Sequence, residues 1–345
     1  MDSNYPNPKR DYTVLVRCFT FNQSKYIEDA LNGFVMQQTT FPFVCLVVDD
    51  ASTDGEPEVI KSWMERECDM ADAKHIDIPN ANVIIVSHKT NSNCTMAVYL
   101  LKENLFRQGE KKLKYVTPWR EHCRYEAICE GDDYWTEPLK LQKQVDFMDS
   151  NPDCSMCFHN AVEHYENGHK KDMLFSDIQD KDYSGEDLFH NWIVPTASVL
   201  YKRDDRIIKY NNKLRNNPHI IFGDICLFLS CSFYGRIHGM SDIMSVYRKQ
   251  ENGLTAGGFT YPRYRKLAWH EYSLGKELGG TFYKIGIRKF VKINLDCFVI
   301  SITDKNHSID YSFLKDAFLK APFLTCYKMG VHLKRYIKNN IKRWK

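Results

Sequence analysis

Glu130-Gly131-Asp132-Asp133-Tyr134-Trp135 sets two adjacent carboxylates just after an apolar-leaning run, Tyr125-Glu126-Ala127-Ile128-Cys129. That run reads as a buried strand. Asp is a poor strand residue, so a pair of them where the strand should end needs a reason. In an open α/β sheet, ligands bind at the carboxyl ends of the strands. Two carboxylates there can hold a hard divalent cation, and the cation can hold a diphosphate. Downstream, Pro138 opens a helical pattern through Leu139, Leu141, Val145 and Phe147.

Upstream the chain alternates strand and helix. Thr13 to Phe19 is a first strand. Ser24 can cap a helix carrying Ile27, Ala30, Leu31, Phe34 and Val35 at helical spacing. Phe43 to Val48 is apolar throughout, as in a strand covered on both faces. It ends in the turn Asp49-Asp50-Ala51-Ser52-Thr53-Asp54-Gly55, and Pro57 suits the start of the next helix. Val83 to Val86 is a third strand, and a helix is expected over about Thr95 to Phe106, followed by a basic loop with Lys111, Lys112 and Lys114. The alternation predicts an α/β fold with a mostly parallel sheet wound with helices.

Beyond Pro152 the order is less regular. Ser155 to His159, Thr196 to Tyr201 and Ile243 to Arg248 read as strands; Gly223-Asp224 opens an apolar helix; Asn160 to Trp192 is polar and without a clear pattern. From Tyr261 the pattern is helical to the end. The expected organisation is therefore an α/β domain over 1–260 and a helical region over 261–345.

A net charge of +3 is too small to imply nucleic acid, but its distribution is uneven: after Asp316 there is no acid and there are eight Lys or Arg. The tail aligns Leu333, Tyr336, Ile337, Ile341 and Trp344 against Lys334, Arg335, Lys338, Lys342 and Arg343. A basic amphipathic helix over residues 328–345 suits an anionic membrane surface, and equally a helix packed on the domain. The 12 cysteines follow no framework and many lie in apolar runs, which points to reduced, buried thiols. Cys154 and Cys157 have CxxC spacing without a second pair. The N-terminus lacks a signal-peptide core and no run is long enough to span a membrane, so the expected location is cytoplasmic, with peripheral attachment to the inner face of the membrane open.

Three carboxylate sites carry candidate chemistry. Asp49-Asp50 can accept the N3–H of a uracil, or simply bond a local turn. Asp132-Asp133 can bind Mn²⁺ or Mg²⁺ against a diphosphate, since adjacent unmetallated carboxylates repel. Asp224 can be a general base or a helix N-cap; spacing does not decide between them.

Together these sites carry a resemblance. Thr-Val-Leu-Val-Arg-Cys-Phe-Thr-Phe-Asn from Thr13, Val-Val-Asp-Asp-Ala-Ser-Thr-Asp-Gly from Val47 and Glu-Gly-Asp-Asp-Tyr-Trp-Thr-Glu-Pro-Leu-Lys-Leu-Gln-Lys-Gln from Glu130 resemble the family 2 glycosyltransferases of the GT-A fold, especially bacterial members that build capsule, O-antigen and other envelope polysaccharides. The resemblance implies an inverting, metal-dependent transfer from a UDP-sugar to a glycan or lipid-linked glycan. It implies Thr20, Asn22 and Asp50 at the nucleobase, Asp132 and Asp133 at the ribose and metal, Thr196 and Ser198 at the donor-sugar or acceptor pocket, Arg248 at the diphosphate, and Asp224 as base. Phe21, the loop Lys89 to Asn93 and Gln250 depart from the family pattern. A degenerate GT-A domain serving as a binding or scaffold protein is the alternative. A nucleotidyltransferase would want a Gly-rich loop after the first strand, where Phe19 to Gln23 has no Gly.

Overall fold

The computed structural model describes residues 6, 8, 11–168, 170–250, 260–303 and 308–341, with only the backbone of 303 and 332–341. The chain forms two compact units. One comprises Met1–Ser184, Trp192–Ile207 and Cys231–Thr255; the other comprises Gly185–Asn191, Ile208–Ser230 and Ala256–Lys345.

The first unit begins with β1 (Tyr12–Thr20), α1 (Ile27–Val35), β2 (Phe43–Asp49), α2 (Glu56–Glu67), β3 (Lys74–Ile78), β4 (Ala81–Ser87) and β5 (Cys94–Leu101). It continues with α3 (Leu113–Arg120), β6 (Cys123–Ile128), β7 (Tyr134–Trp135), α4 (Lys140–Ser150), β8 (Cys154–Tyr165), β9 (Met173–Leu174) and β10 (Lys181–Tyr183). It closes with β11 (Leu200–Lys202) and β12 (Arg236–Lys249), while α5 (Gly185–His190) and most of α6 (Asp205–Arg215) and α7 (Gly223–Tyr234) fall in the second unit. The strands form a single sheet in the order β10-β12-β8-β11-β6-β1-β2-β5-β4-β3, with β7 added to β12 and β9 to β8. Its centre, β6-β1-β2-β5, is parallel, whereas β11, between β6 and β8, runs antiparallel to both.

Alternation along the central strands divides the core. Val14, Val16, Cys18, Cys45 and Val47 pack on one face with Ile27, Leu31 and Phe34 of α1. Leu15, Val44, Leu46 and Val48 pack on the other with Tyr99, Tyr115 and Trp119. Because both faces are covered, β2 is apolar at every position until Asp49. Glu126 of β6 is buried yet ionised: burial alone would raise its pKa, but Arg120 and Arg17, at 2.6 and 2.8 Å, outweigh that and lower it.

Several expectations are corrected. The segment expected to be helical from Thr95 to Phe106 holds β5, whose residues are all buried between β2 and β4. Its unbroken apolar run fits either element, and pairing on both edges decides it. Thr196 to Tyr201 is a short 3₁₀ turn, Thr196–Ser198, followed by β11. Ser24 does not cap α1; its backbone N–H donates to Asp54 Oδ2 at 2.9 Å. The patternless stretch after Asn160 completes β8 and supplies β9, β10 and α5. All 12 cysteines are unpaired, and only Cys326 is exposed.

The second unit is built on α8 (Tyr261–Leu278), α9 (Gly280–Thr303), α10 (Tyr311–Lys320) and α11 (Pro322–Ile341). Ala268, Phe290, Val291 and Leu295 form its core. The first two helices cross closely at Gly275, where a Cβ would lie 2.7 Å from Phe282 O and 3.0 Å from Gly286 Cα. No described helix is long and apolar enough to cross a membrane. The tail is helical to Ile341; Lys342, Arg343 and Trp344 lie outside the described residues.

Candidate functional site

The chemistry gathers at the carboxyl ends of β1, β2 and β6. After β6 the chain turns so tightly against the loop after β1 that Gly131 is required: a Cβ there would collide with the Thr20 hydroxyl and lie 2.6 Å from Gln23 Oε1. Gly131 N–H donates to Phe19 O at 3.2 Å. This turn separates the two aspartates. Asp133 is 3% exposed and its Oδ1 accepts the Arg248 backbone N–H at 2.9 Å. Asp132 and Glu130 are only half-buried, and Asp132 Oδ2 accepts from Gln250 Nε2 at 2.8 Å. Burial, and then the charge of Asp132, push Asp133 well above the usual carboxylate range; burial also raises Asp132.

Arg248 frames this turn. Its Nε donates to Asp132 O at 2.8 Å, one terminal nitrogen pairs with Asp29 at 2.7 Å, and the other pairs with Glu166. The guanidinium lies between the rings of Tyr26 and Tyr134, 4.8 Å from each centroid. The expected diphosphate ligand is therefore engaged within the protein, and Gln250, which departs from the family pattern, bonds the aspartate beside it.

The loops after β1 and β2 are tied together. Glu56, at the start of α2, is fully buried and contacts the Thr20 hydroxyl; it accepts from Gln23 N at 2.9 Å and from Ser52 Oγ at 2.8 Å. Asn22 N donates to Ser52 Oγ at 2.8 Å, and Thr53 N donates to Asn22 Oδ1 at 2.8 Å. Asn22 (φ 54°) and Ala51 (φ 58°) hold left-handed backbone conformations within this lattice. Asn22 is exposed and Thr20 buried.

Asp49 and Asp50 also diverge. Asp50 is fully buried; its carboxylate accepts the N–H groups of Leu105 at 2.8 Å and Phe106 at 3.2 Å and pairs with Lys112 at 3.1 Å. Asp49 is equally buried, yet its Oδ1 has no hydrogen-bond partner, while Oδ2 accepts from Ser52 N at 3.3 Å. Burial raises its pKa, opposed by the Ser52 bonds and reinforced by Asp50 and Asp54. The contacts from Asn104, Leu105, Phe106 and Lys112 were not foreseen, because that stretch was read as the end of a helix and a basic loop. The loop Lys89 to Asn93, which departs from the family pattern, precedes β5 at the end of the strands opposite these turns; Asn91 Nδ2 there donates to Val35 O at 2.9 Å and Gln37 O at 2.8 Å.

Thr196 is half-buried on its 3₁₀ turn, which is fastened beneath the β6 turn: Trp135 Nε1 donates to Ala197 O at 2.9 Å. Ser198 is buried, and its hydroxyl is taken by Pro195 O at 2.6 Å, so it does not line a pocket. Asp224 belongs to the second unit, in the first turn of α7, half-buried, with Oδ1 2.8 Å from Ile225 N.

Comparison with known proteins agrees with this geometry. Residues 18–94 match the model of Glycosyl transferase family 2, spanning β1 to the start of β5. An uncharacterized Mycobacterium tuberculosis protein, Rv1520, is 31% identical over 242 residues, 70% of this chain and 60% of that protein. The chain thus spans about 60% of the length of such mycobacterial relatives. TuaG of Bacillus subtilis, named for teichuronic acid biosynthesis, is 23% identical over 73% of this chain and 84% of its own length. Among solved structures, S. aureus TarS 1-349 in complex with UDP-GlcNAc superposes with a TM-score of 0.52 at 16% identity, covering 85% of this chain and 74% of that one. With the sheet, the strand-end carboxylates and these matches in agreement, the chain belongs to glycosyltransferase family 2 and has the GT-A fold.

Proposed function

We propose that the chain transfers a sugar from a UDP-sugar to a hydroxyl of a glycan or lipid-linked glycan, with inversion, in the synthesis of an envelope polysaccharide. The observation that carries this reading is the convergence of the loops after β1, β2 and β6, the last two bearing carboxylates, at the carboxyl ends of adjacent parallel strands. The polysaccharide context is supported by the name of TuaG, and the uridine nucleotide by the UDP-GlcNAc bound to TarS.

The nucleobase lies over the strapped loops that carry Thr20, Asn22 and Asp50. An acid there accepts the imide N–H that uracil has and cytosine lacks. Asp50 already meets three donors, so Asp49, with its free Oδ1, has the spare acceptor. Asp132, with Glu130 beside it, offers the accessible carboxylates for Mn²⁺ or Mg²⁺, and Asp133 anchors the turn from below. Oxygen donors of this kind suit a hard cation that also takes the donor's phosphates. No three His, Cys, Asp or Glu side chains among the described residues converge into a ready cage, which fits a site completed by the nucleotide. A cation held there would offset the negative charge of the diphosphate leaving group. Thr196 lines the sugar. Asp224 takes the proton of the acceptor hydroxyl, whose oxygen attacks the anomeric carbon as the bond to the diphosphate breaks. Arg248 holds the β6 turn in place for this. The basic tail from residue 328 rests on an anionic membrane, which vesicle sedimentation with and without acidic lipid tests: equal sedimentation refutes it.

Calorimetry with UDP, GDP and CDP, each with Mn²⁺ and with chelator, tests the donor reading. Metal-dependent binding of UDP alone is expected; binding of none removes it. Asp224→Asn should retain UDP and lose turnover; loss of UDP binding would refute its role as base.

A further inference from the structure

Lys140 lies at the start of α4, behind the β6 turn, and is wholly buried. A lysine there is costly, because its ammonium leaves water. Its Nζ donates to Gln144 Oε1 at 2.7 Å and sits 4.0 Å from the centroid of the Trp135 ring; among the described residues no carboxylate pairs with it. The ionisable groups packed around it are the thiols of Cys129 and Cys157 and the His159 ring. Both of its partners reach the same place. Gln144 Nε2 donates to Ser198 O at 2.9 Å, and Trp135 Nε1 to Ala197 O at 2.9 Å. Trp135 is itself wedged against α1: Phe34 meets its ring edge-on at 5.1 Å, and a Cβ on Gly33 would lie 2.9 Å from Trp135 N. An apolar residue would fill the space at lower cost, but it would leave Gln144 Oε1 without its donor and the indole without a cation.

We propose that Lys140 is a positioning residue: with Gln144 and Trp135 it locks the Thr196–Ser198 turn to the Asp132-Asp133 turn, keeping the sugar side of the site in register with the diphosphate side. The inference rests on the reading above for what those two turns bind. Lys140 touches no substrate and acts through its two partners.

The test is Lys140→Met, which keeps length and apolar bulk. Its thermal midpoint should equal or exceed that of the parent, and UDP affinity should stay within about twofold, since the nucleobase loops are untouched. Turnover should fall about 10- to 100-fold, the scale of a misplaced reacting group. Amide exchange at Ser198 and Val199 should rise about tenfold or more while that of β1 and β2 stays unchanged. Gln144→Met should do the same, and the double variant should lose less than the product of the two, because both break one link. Unchanged exchange at Ser198 and Val199, or turnover within about threefold of the parent, overturns the proposal. If Lys140→Met does not fold, Gln144→Met carries the test alone. If the parent itself binds no nucleotide and transfers no sugar, the proposed function fails, and the exchange measurement still judges the lock.

Discussion

The two aspartate pairs, Asp49-Asp50 after β2 and Asp132-Asp133 at the β6 turn, look alike in sequence and are built alike in one respect. In each, one carboxylate turns inward and accepts backbone N–H groups from a distant segment: Leu105 and Phe106 for Asp50, Arg248 for Asp133. In each, the other keeps acceptor capacity. They differ in exposure. Asp132 is half-buried, whereas Asp49 is fully buried with a bare oxygen. Asp132 and Asp133 lie in the turn beyond β6, so contact with a distant segment, not strand alternation, sets their two carboxylates apart. Doublets of this kind are not two equivalent ligands.

That contrast can be broken most sharply at the β6 turn. Asp132→Asn should weaken metal-dependent UDP binding by about a hundredfold or more, and Asp133→Asn by less than about fivefold, because the amide oxygen can still accept from Arg248. Calorimetry decides; the reverse order would make Asp133 the metal-facing group. At the other pair the effects are smaller. Asp50→Asn should cost about 1–3 kcal/mol of stability through the weakened bonds to the Leu105 and Phe106 amides and Lys112. Asp49→Asn should leave the fold at neutral pH as stable or more so, since the native carboxyl favours its neutral form, while reducing UDP affinity about tenfold. Unchanged UDP affinity in Asp49→Asn with a loss in Asp50→Asn would return the base contact to Asp50.

The mildest test concerns pH. Burial lowers Lys140 to about 7, below its ordinary value. Between about 7 and the ordinary lysine value the unfolded chain holds the extra proton, so this group makes stability rise with pH across that window; below it both states are protonated and the cost is constant. The stability advantage of Lys140→Met should therefore be greatest near pH 6, about 2–4 kcal/mol, and fade toward pH 10. Denaturant titrations across that range check it; a pH-independent difference would show that the buried lysine keeps its ordinary pKa and stays charged throughout.

Much of the fold was legible. Strand and helix alternated visibly from Thr13 to Phe147, and the turns with paired carboxylates marked strand ends. Missing was whatever depended on pairing. Cys94 to Leu101 lacks the alternation that separates strand from helix, because both faces are buried. The site positions were legible as residues but not as orientations. Nothing local in Asp132-Asp133 tells which carboxylate meets the Arg248 amide 115 residues later. Lys140 read only as one more polar position on a helix, because its burial depends on β8 and the Thr196–Ser198 turn.

The Glu56 strap has a consequence for how such a site changes over generations. Because one buried carboxylate ties Thr20, Gln23 and Ser52 together, the loops after β1 and β2 cannot lengthen or shorten independently. Variation in this pair of loops is confined to exchanging side chains on a fixed frame, at positions such as Asn22 and Thr53 that face water. The pair is thus inherited as a block, ordered before any ligand arrives, and new preferences among sugars must be written elsewhere in the chain.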